Sequence, residues 1–499
     1  MLRSYLAILL AFAILAGAQP RAAAPASSDV ILEAMRAEMQ RARNLRGTGG
    51  LDVPYFFEYA LDEVRGYSAA ATLGGLLNER QTRIRVPRVQ VRVGDYEFDN
   101  TNYIFSDANF GPRFDFGQMP QDNNLLALRH QIWLQTDRAF KNALEAIGRK
   151  RAALRAQNLQ TEKLADFAKA EPVKMLLDVS PRTVDEAAWR RRTVATSTVF
   201  AEYPRVLSSS VEFEYGENAS YLLNSEGTEV RYPDNLNYVR IRASGQAPDG
   251  MPVRDHAILH ATELARLGSE ADWKRTATEI GANVTALAEA PVGEAYSGPV
   301  LFEGLAGAQL LAEVLGSQLA IPRRPVPEPN RPLPFVPGEL EGRLNSRILP
   351  STFTVIDDPT QKDFQGRELA GHYLVDIEGV RPKPLTVIEG GALKSYLTSR
   401  QPNKFSTESN GRARIPGAFG HKLPAISNLF VQSTDGVAAS ELKARLLTMV
   451  KDRSKPYGII IRKMDFPSSA SPDELRRLAA ALAGSAGSSV ISSPLLAYR

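Results

Sequence analysis

Five histidines, several paired carboxylates and no cysteine make up this chain's means for chemistry. His256-Ala-Ile-Leu-His260 sets two imidazoles four residues apart. On a helix they would share one face and could hold a zinc ion if a third donor joined them. Asp255 and Glu263 are the nearest donors, but Met251-Pro252-Val253 precedes the pair and the flanking pattern is mixed. The pair therefore reads first as structural or surface histidines. His372 and His421 fall in β-patterned stretches, where an imidazole packs or orders a loop. Together with Asp357, Asp358, Asp376 and Glu378 they outline a candidate cleft, where a relocated metal could sit. The plainer reading of the four carboxylates is turn and strand-end residues that accept backbone N–H groups.

Other chemistries are excluded by what the sequence lacks. There is no Gly-x-Ser-x-Gly, and Gly484-Ser485-Ala486-Gly487 has the wrong spacing for a nucleophile elbow. No phosphate-binding loop or dinucleotide fingerprint is present. Without cysteine there can be no disulfide, thiolate nucleophile, Cys-ligated zinc or lipoprotein anchor. The formal net charge of +4 is small, and the basic runs Arg149–Arg151 and Arg190–Arg192 sit on helix-patterned segments as solvated faces. Nucleic acid is not an expected partner.

These residues must be positioned by a mixed set of elements. Ser28-Asp29 caps an expected helix in which Ile31, Met35, Met39 and Ala42 recur at helical spacing. Aromatic Tyr55–Tyr59, the small apolar run from Gly66 to Leu76 and the alternation of Val89, Val91 and Val93 predict strands. A long helix is expected from Asn123 to about Gln157, with Leu126, Trp133, Phe140 and Leu144 as its buried stripe. Thr183–Ala201 reads as another helix. Ser209–Tyr215, Ala219–Leu223, Thr228–Tyr232 and Tyr238–Ala243 read as strands, and Asn224-Ser225-Glu226-Gly227 supplies a turn. Ser269, with Asp272 three residues on, caps a helix to Ala288.

Gly298–Glu303 reads as a strand feeding a helix from Ala306 to Leu319, and the proline-dense stretch Pro322–Pro337 as an extended connector. Strands are then expected at Thr352–Ile356, Tyr373–Ile377, Leu385–Glu389, Leu393–Ser399, Asn428–Gln432 and Tyr457–Arg462. Helices are expected at Ala439–Lys451 and Asp473–Ala483. Pro494–Arg499 reads as a strand just begun, with more of the domain expected beyond it.

At the N-terminus, Arg3 and the apolar run Leu6–Ala16 precede small residues suited to cleavage, the pattern of a signal peptide over residues 1–24. The mature protein is then exported, periplasmic or secreted, and soluble, with no membrane contact after cleavage. The predicted class is α+β: an N-terminal α+β domain over 25–245, then a β-rich, barrel-like domain over 246–499.

A set of collinear segments between about residues 205 and 465 resembles one family. Gly298-Pro-Val-Leu-Phe-Glu303 followed by Leu310-Leu-Ala-Glu-Val-Leu-Gly316 resembles the strand-to-helix core of the TldD/PmbA (TldD/TldE) family, metallopeptidase-related proteins once described as modulators of DNA gyrase. Asn224-Ser225-Glu226-Gly227, Phe353-Thr-Val-Ile-Asp-Asp358, Asp376-Ile-Glu-Gly379, the paired strands around Ile388-Glu-Gly-Gly-Ala-Leu393, Asn410-Gly-Arg-Ala-Arg414 and Pro424-Ala-Ile-Ser-Asn-Leu429 resemble its other motifs in order. The first 200 residues resemble the long N-terminal region of exported relatives.

The resemblance implies a zinc peptidase motif, His-Glu-x-x-x-His with a later cysteine, on the core helix. This chain has Ala312, Glu313 and Ser317 at the matching positions and no cysteine. It therefore resembles the zinc-less, TldE-like side of the family. That implies no cofactor of its own, a peptide or unfolded polypeptide as ligand, and assembly as a homo-oligomer or with a zinc-bearing family member. An active peptidase with a relocated metal at His256/His260 or His372/His421, and a stand-alone peptide-binding or structural protein, are the alternatives.

Overall fold

The computed structural model describes residues 29–45, 52–103, 119–157, 164–179, 181–321, 323–327, 338–416, 422–465 and 492–499. The expected signal peptide, most of the Pro322–Pro337 connector, His421, the helix expected at Asp473–Ala483 and Gly484–Gly487 lie outside them.

The first half is one long-stranded sheet with helices on one face. Strands β1 (Pro54–Thr72) and β2 (Gly75–Val93) form a hairpin of 19 residues each, turning at Leu73-Gly74. The aromatic and small-apolar stretches of β1 are thus one continuous strand. Strand β3 (Lys174–Leu176) is short, and β4 (Ser208–Asn224) runs unbroken through the two strands expected at Ser209–Tyr215 and Ala219–Leu223. β5 (Glu229–Pro233), β6 (Leu236–Gln246) and β7 (Pro252–Ala261) complete the sheet. Its order is β2-β1-β4-β5-β3, with β6 also paired to β4 and β7 to β6. The sheet continues past residue 245 through β7, which pairs with β6.

Period-2 alternation sends odd-numbered residues of β1, β2 and β4 to one face. There α1 (Val30–Ala42) and α2 (Leu125–Gln157) cover one end, packing Met35, Leu128 and Ile132 on Phe57, Tyr59 and Tyr221. α3 (Glu186–Ser197) and α4 (Glu270–Glu289) cover the other end, around Trp273, Phe213 and Ile241. Asp29 caps α1 by accepting the Leu32 N–H, and Ser269 and Asp272 form the full capping box of α4. The buried stripe of α2 is shifted from the expected one: Leu128, Ile132, Phe140, Ala143 and Ile147 are buried, while Leu126 is 77% exposed in the first turn. Spacing placed the face correctly from Phe140 onward but chose the wrong leucine at the start.

The second half packs on the opposite face, where Val375 joins Ala60, Leu222 and Val230. β8 (Val300–Phe302) leads into α5 (Leu305–Gly316). A four-stranded sheet holds β9 (Phe353–Asp357), β12 (Leu385–Glu389), β13 (Ala392–Leu393) and β16 (Leu429–Ser433) in the order β13-β12-β9-β16. Two small hairpins stand apart, β10 (Asp363–Phe364) with β11 (Arg367–Glu368), and β14 (Ala413–Pro416) with β15 (Lys422–Pro424). After α6 (Leu442–Asp452), β17 (Ile459–Met464) pairs parallel to β8 and antiparallel to β18 (Pro494–Tyr498).

The fold is therefore mixed α and β, as predicted, but the described residues close no barrel. Tyr373–Ile377, expected as a strand, is a loop, and the strand expected over Leu393–Ser399 ends at Leu393. Among the described residues no helix is long and apolar enough to cross a membrane.

Candidate functional site

α5 carries the positions that matter most for the expected chemistry. Leucine and alanine favour helix here. Gly304, at φ 55°, turns the chain from β8 into the helix. At the other end the helix tightens to a 3₁₀ turn over Ser317–Leu319. Gly316 leaves room for Ile426, whose Cδ1 would stand 3.0 Å from a Cβ there. Ala312 and Glu313 are half-buried, and Ser317 is exposed. Both oxygens of Glu313 are engaged: the Ser492 N–H donates to one at 2.7 Å and the Ser492 hydroxyl to the other at 2.6 Å. A methyl group offers no donor to a metal, a lone serine hydroxyl is a poor zinc ligand, and no cysteine exists to complete a set. Among the described residues no three His, Cys, Asp or Glu side chains cluster as a metal site. The residues present do not fit the family's zinc.

Glu313 aside, the motif carboxylates organise loops. Asp357, at the end of β9, is fully buried. It accepts Arg412 Nε at 2.9 Å, the Ser427 N–H at 2.7 Å and the Ser427 hydroxyl at 2.9 Å. Arg412 Nη2 also donates to the carbonyls of Asp357, at 2.9 Å, and Lys383, at 2.6 Å. One buried ion pair thus ties three motif segments together. Asp358, also buried, turns its carboxylate to the Thr360–Gln361 turn. Burial opposes its charge, but the Thr360 hydroxyl and N–H, at 2.6 and 2.9 Å, hold its carboxyl below the usual range. His372 donates from Nδ1 to the Pro359 carbonyl at 2.9 Å, and burial lowers its pKa.

Asp376 and Glu378 sit deepest, where the two halves meet. Asp376 Oδ1 accepts the N–H groups of Glu378 and Val380 at 2.9 and 2.8 Å, and Oδ2 that of Ala413 at 3.1 Å. Glu378 accepts the Arg400 N–H. Burial first, and then Glu378, raises Asp376; burial raises Glu378 against the pull of Lys422. Arg400, wholly buried, lies 4.0 Å over the Phe167 ring and donates to the Ala168 carbonyl at 2.8 Å and to Glu226 at 2.7 Å. Tyr96 also donates to Glu226, at 2.7 Å. Lys422 pairs with Glu58 of β1 and donates to the Ile377 carbonyl at 2.8 Å. Gly379, at φ 82°, packs under the Asn224–Gly227 turn, where a Cβ would meet Thr228 Cγ2 at 2.9 Å.

The structure thus brings Asp357, Asp376 and Glu378 into one buried junction and sets Asp358 and His372 at its outer edge. Arg400, Lys422, Glu58 and Glu226 complete it, and sequence reasoning missed all four. Arg400 stands in no motif, and Glu226 fills the variable position of Asn-Ser-x-Gly. Arg412, seen in a motif, gave no sign of its buried partner.

The histidine pair falls elsewhere and differently. His256 and His260 lie on β7, not on a helix. At about 3.3 Å per residue they stand about 13 Å apart, so one ion cannot join them. His256 is buried beside Asp255 and Lys463, and burial, then Lys463, lowers its pKa; His260 is exposed.

Known proteins match this geometry. Residues 295–464 match the family model described as the PmbA/TldA metallopeptidase C-terminal domain. A metalloprotease of Methanothermobacter thermautotrophicus is 26% identical over 254 residues, 50% of this chain and 51% of that protein. One from Archaeoglobus fulgidus is 40% identical over 78 residues, 16% of this chain and 17% of the relative. The chain spans about half the length, or less, of these curated relatives. A Thermotoga maritima crystal structure, described as a modulator of a DNA gyrase, superposes with a TM-score of 0.55 at 15% identity, covering 88% of this chain and 84% of the other; it shares the fold. Residues 295–464, which carry the core helix and most of the buried junction, belong to the TldD/PmbA family of metallopeptidase-related proteins.

Proposed function

We propose that this protein is a non-catalytic, TldE-like member of the family, exported from the cytoplasm, that binds or shapes peptide for proteolysis by a zinc-bearing partner. The observation that carries the reading is on α5. Ala312 and Ser317 occupy the ligand positions, and Glu313, the expected general base, is held at both oxygens by Ser492. A base that activates a metal-bound water needs the metal beside it and a free oxygen. The β-rich half supplies strand edges to which an extended peptide can add.

The test is elemental analysis of the purified protein with a peptide-cleavage assay beside it, before and after chelation. The expected result is no stoichiometric zinc, no cleavage, and a melting temperature that chelator does not move. Near-stoichiometric zinc with chelator-sensitive cleavage overturns the proposal.

A further inference from the structure

One end of the seven-stranded sheet is apolar. The antiparallel pairing brings five strand ends together there: Thr72 pairs with Gly75, Ser208 with Ser244 and Gln246 with Pro252, while the Thr72 and Ser209 hydroxyls bond at 3.0 Å. Leu73 lies in the β1–β2 turn, Leu76 and Leu77 open β2, Leu207 precedes β4 and Met251 precedes β7. Each of these five side chains is between 43 and 71% exposed. At about 4.8 Å between strands they form a row about 20 Å long. The sequence alone predicts no membrane contact, because these residues lie in three separate segments that only the sheet brings together.

Local rules are broken at the hairpin tip. Leu73 and Gly74 make a two-residue turn, and both have positive φ, at 48° and 83°. Such a turn favours asparagine in its first position. A leucine there is strained by its Cβ and gains no burial in return. A residue that is both strained and exposed points to a use outside the fold. The tip is also fixed in place, since the Gly74 N–H donates to the Ser197 hydroxyl at the end of α3, at 3.0 Å.

We propose that this end of the sheet docks the protein on a lipid bilayer with zwitterionic headgroups. The five side chains enter the boundary between headgroups and acyl chains. Area favours a bilayer over a second copy of the chain. The five leave on the order of 500 Å² in water, short of the roughly 800 Å² that each partner gives to a stable protein interface. Strand geometry disfavours an added strand. Ala70 pairs with Asn78 and Ala71 with Leu76, so Leu77 is the extra residue of a bulge, which spoils the β2 edge for further pairing. Charge sets the lipid class. Asp249 is the only charged side chain in the stretches 72–78, 206–209 and 247–251, so nothing at the tips attracts anionic headgroups. The proposal uses no residue of α5 and stands apart from the reading of Ala312, Glu313 and Ser317.

The absence of cysteine makes the test clean, because one introduced thiol labels one site. The full chain with Leu73→Cys carries an environment-sensitive fluorophore and is titrated with phosphatidylcholine/phosphatidylethanolamine vesicles, at low and at 0.5 M salt. The same label at Lys451→Cys, on the exposed face of α6, is the control. Expected are a blue shift and at least twofold brightening at residue 73, saturable and unmoved by salt, with no change at 451. Adding Leu207→Ser and Met251→Ser should weaken the response at 73 at least tenfold. In the unlabelled chain, Leu73→Asn should leave the melting temperature unchanged or raise it, because asparagine suits the turn. No spectral change at 73, or an equal change at 451, overturns the proposal, as does a response that the Leu207 and Met251 substitutions leave intact. Self-association in light scattering that L73N abolishes also overturns it, because a second copy would then cover the tips.

Discussion

At the scale of single residues, the buried carboxylates of this chain divide into two kinds. Asp357 is matched by a buried arginine, so its charge is met inside the protein, and removing Arg412 would leave it uncompensated. Asp376 and Glu378 have backbone N–H groups but each other's charge as well, and burial dominates both. Lys422, Arg400 and Glu58 are the other charged groups facing the pair. A carboxyl raised in the folded state binds protons that the unfolded chain has already released. Its contribution to stability is present below the ordinary carboxylate range and is lost as pH rises through the raised value. Chemical denaturation at a series of pH values should therefore show a component of stability that declines as pH climbs from about 4. In Asp376→Asn that component should flatten, whatever the variant's overall stability, because the titrating group is gone. An unchanged slope would mean that the pair is not the source.

At the scale of elements, periodicity and caps were readable where one face is buried and the other wet. The helix caps at Asp29 and Ser269, the long helix over Leu125–Gln157 and the alternating end of β2 all followed from local rules. Three features did not. His256 and His260 obey both a helical and a strand spacing, since positions i and i+4 share a face in either element, and only pairing with β6 decides between them. Tyr373–Ile377 is apolar enough for a strand, yet its Asp376 carboxylate takes over the N–H groups of Glu378 and Val380 and closes a turn instead. The junction itself was half legible. Its motif residues could be seen in order along the chain, but Arg400, Lys422, Glu58 and Glu226 pair across long sequence separations that no local pattern encodes. Gly379 is where the motif turns touch. Its positive φ and the Thr228 methyl group both oppose a side chain, so Gly379→Ala should destabilise the protein by about 2 kcal/mol. Urea denaturation checks this; a loss under about 0.5 kcal/mol would mean that the turns pack loosely there.

At the scale of the whole molecule, the sheet is the middle layer, with helices on one face and the second half on the other. The two sides are joined by charge as well as packing. Arg400 to Glu226, Lys422 to Glu58, Lys463 to Asp255, Arg254 to Asp465 and Arg323 to Asp166 all run between the second half and the sheet or its flanking segments. Several of these are substantially buried, where breaking a pair by deleting one partner costs about 3–5 kcal/mol. Domains held only by exposed contacts unfold separately; domains joined this way should unfold as one. The tryptophans make this measurable, since Trp133, Trp189 and Trp273 all lie in the first half. Tryptophan fluorescence in urea reports that half, and hydrogen exchange of peptides spanning 353–433, read at the same urea concentrations, reports the other. The two midpoints should coincide in the natural protein. In Arg400→Ala, which strips Glu226 and the Ala168 carbonyl of their shared buried donor, they should separate, with the second half opening at lower urea. Separate midpoints already in the natural protein would show that the junction does not couple the halves, and that the motif residues gathered there serve local folding alone.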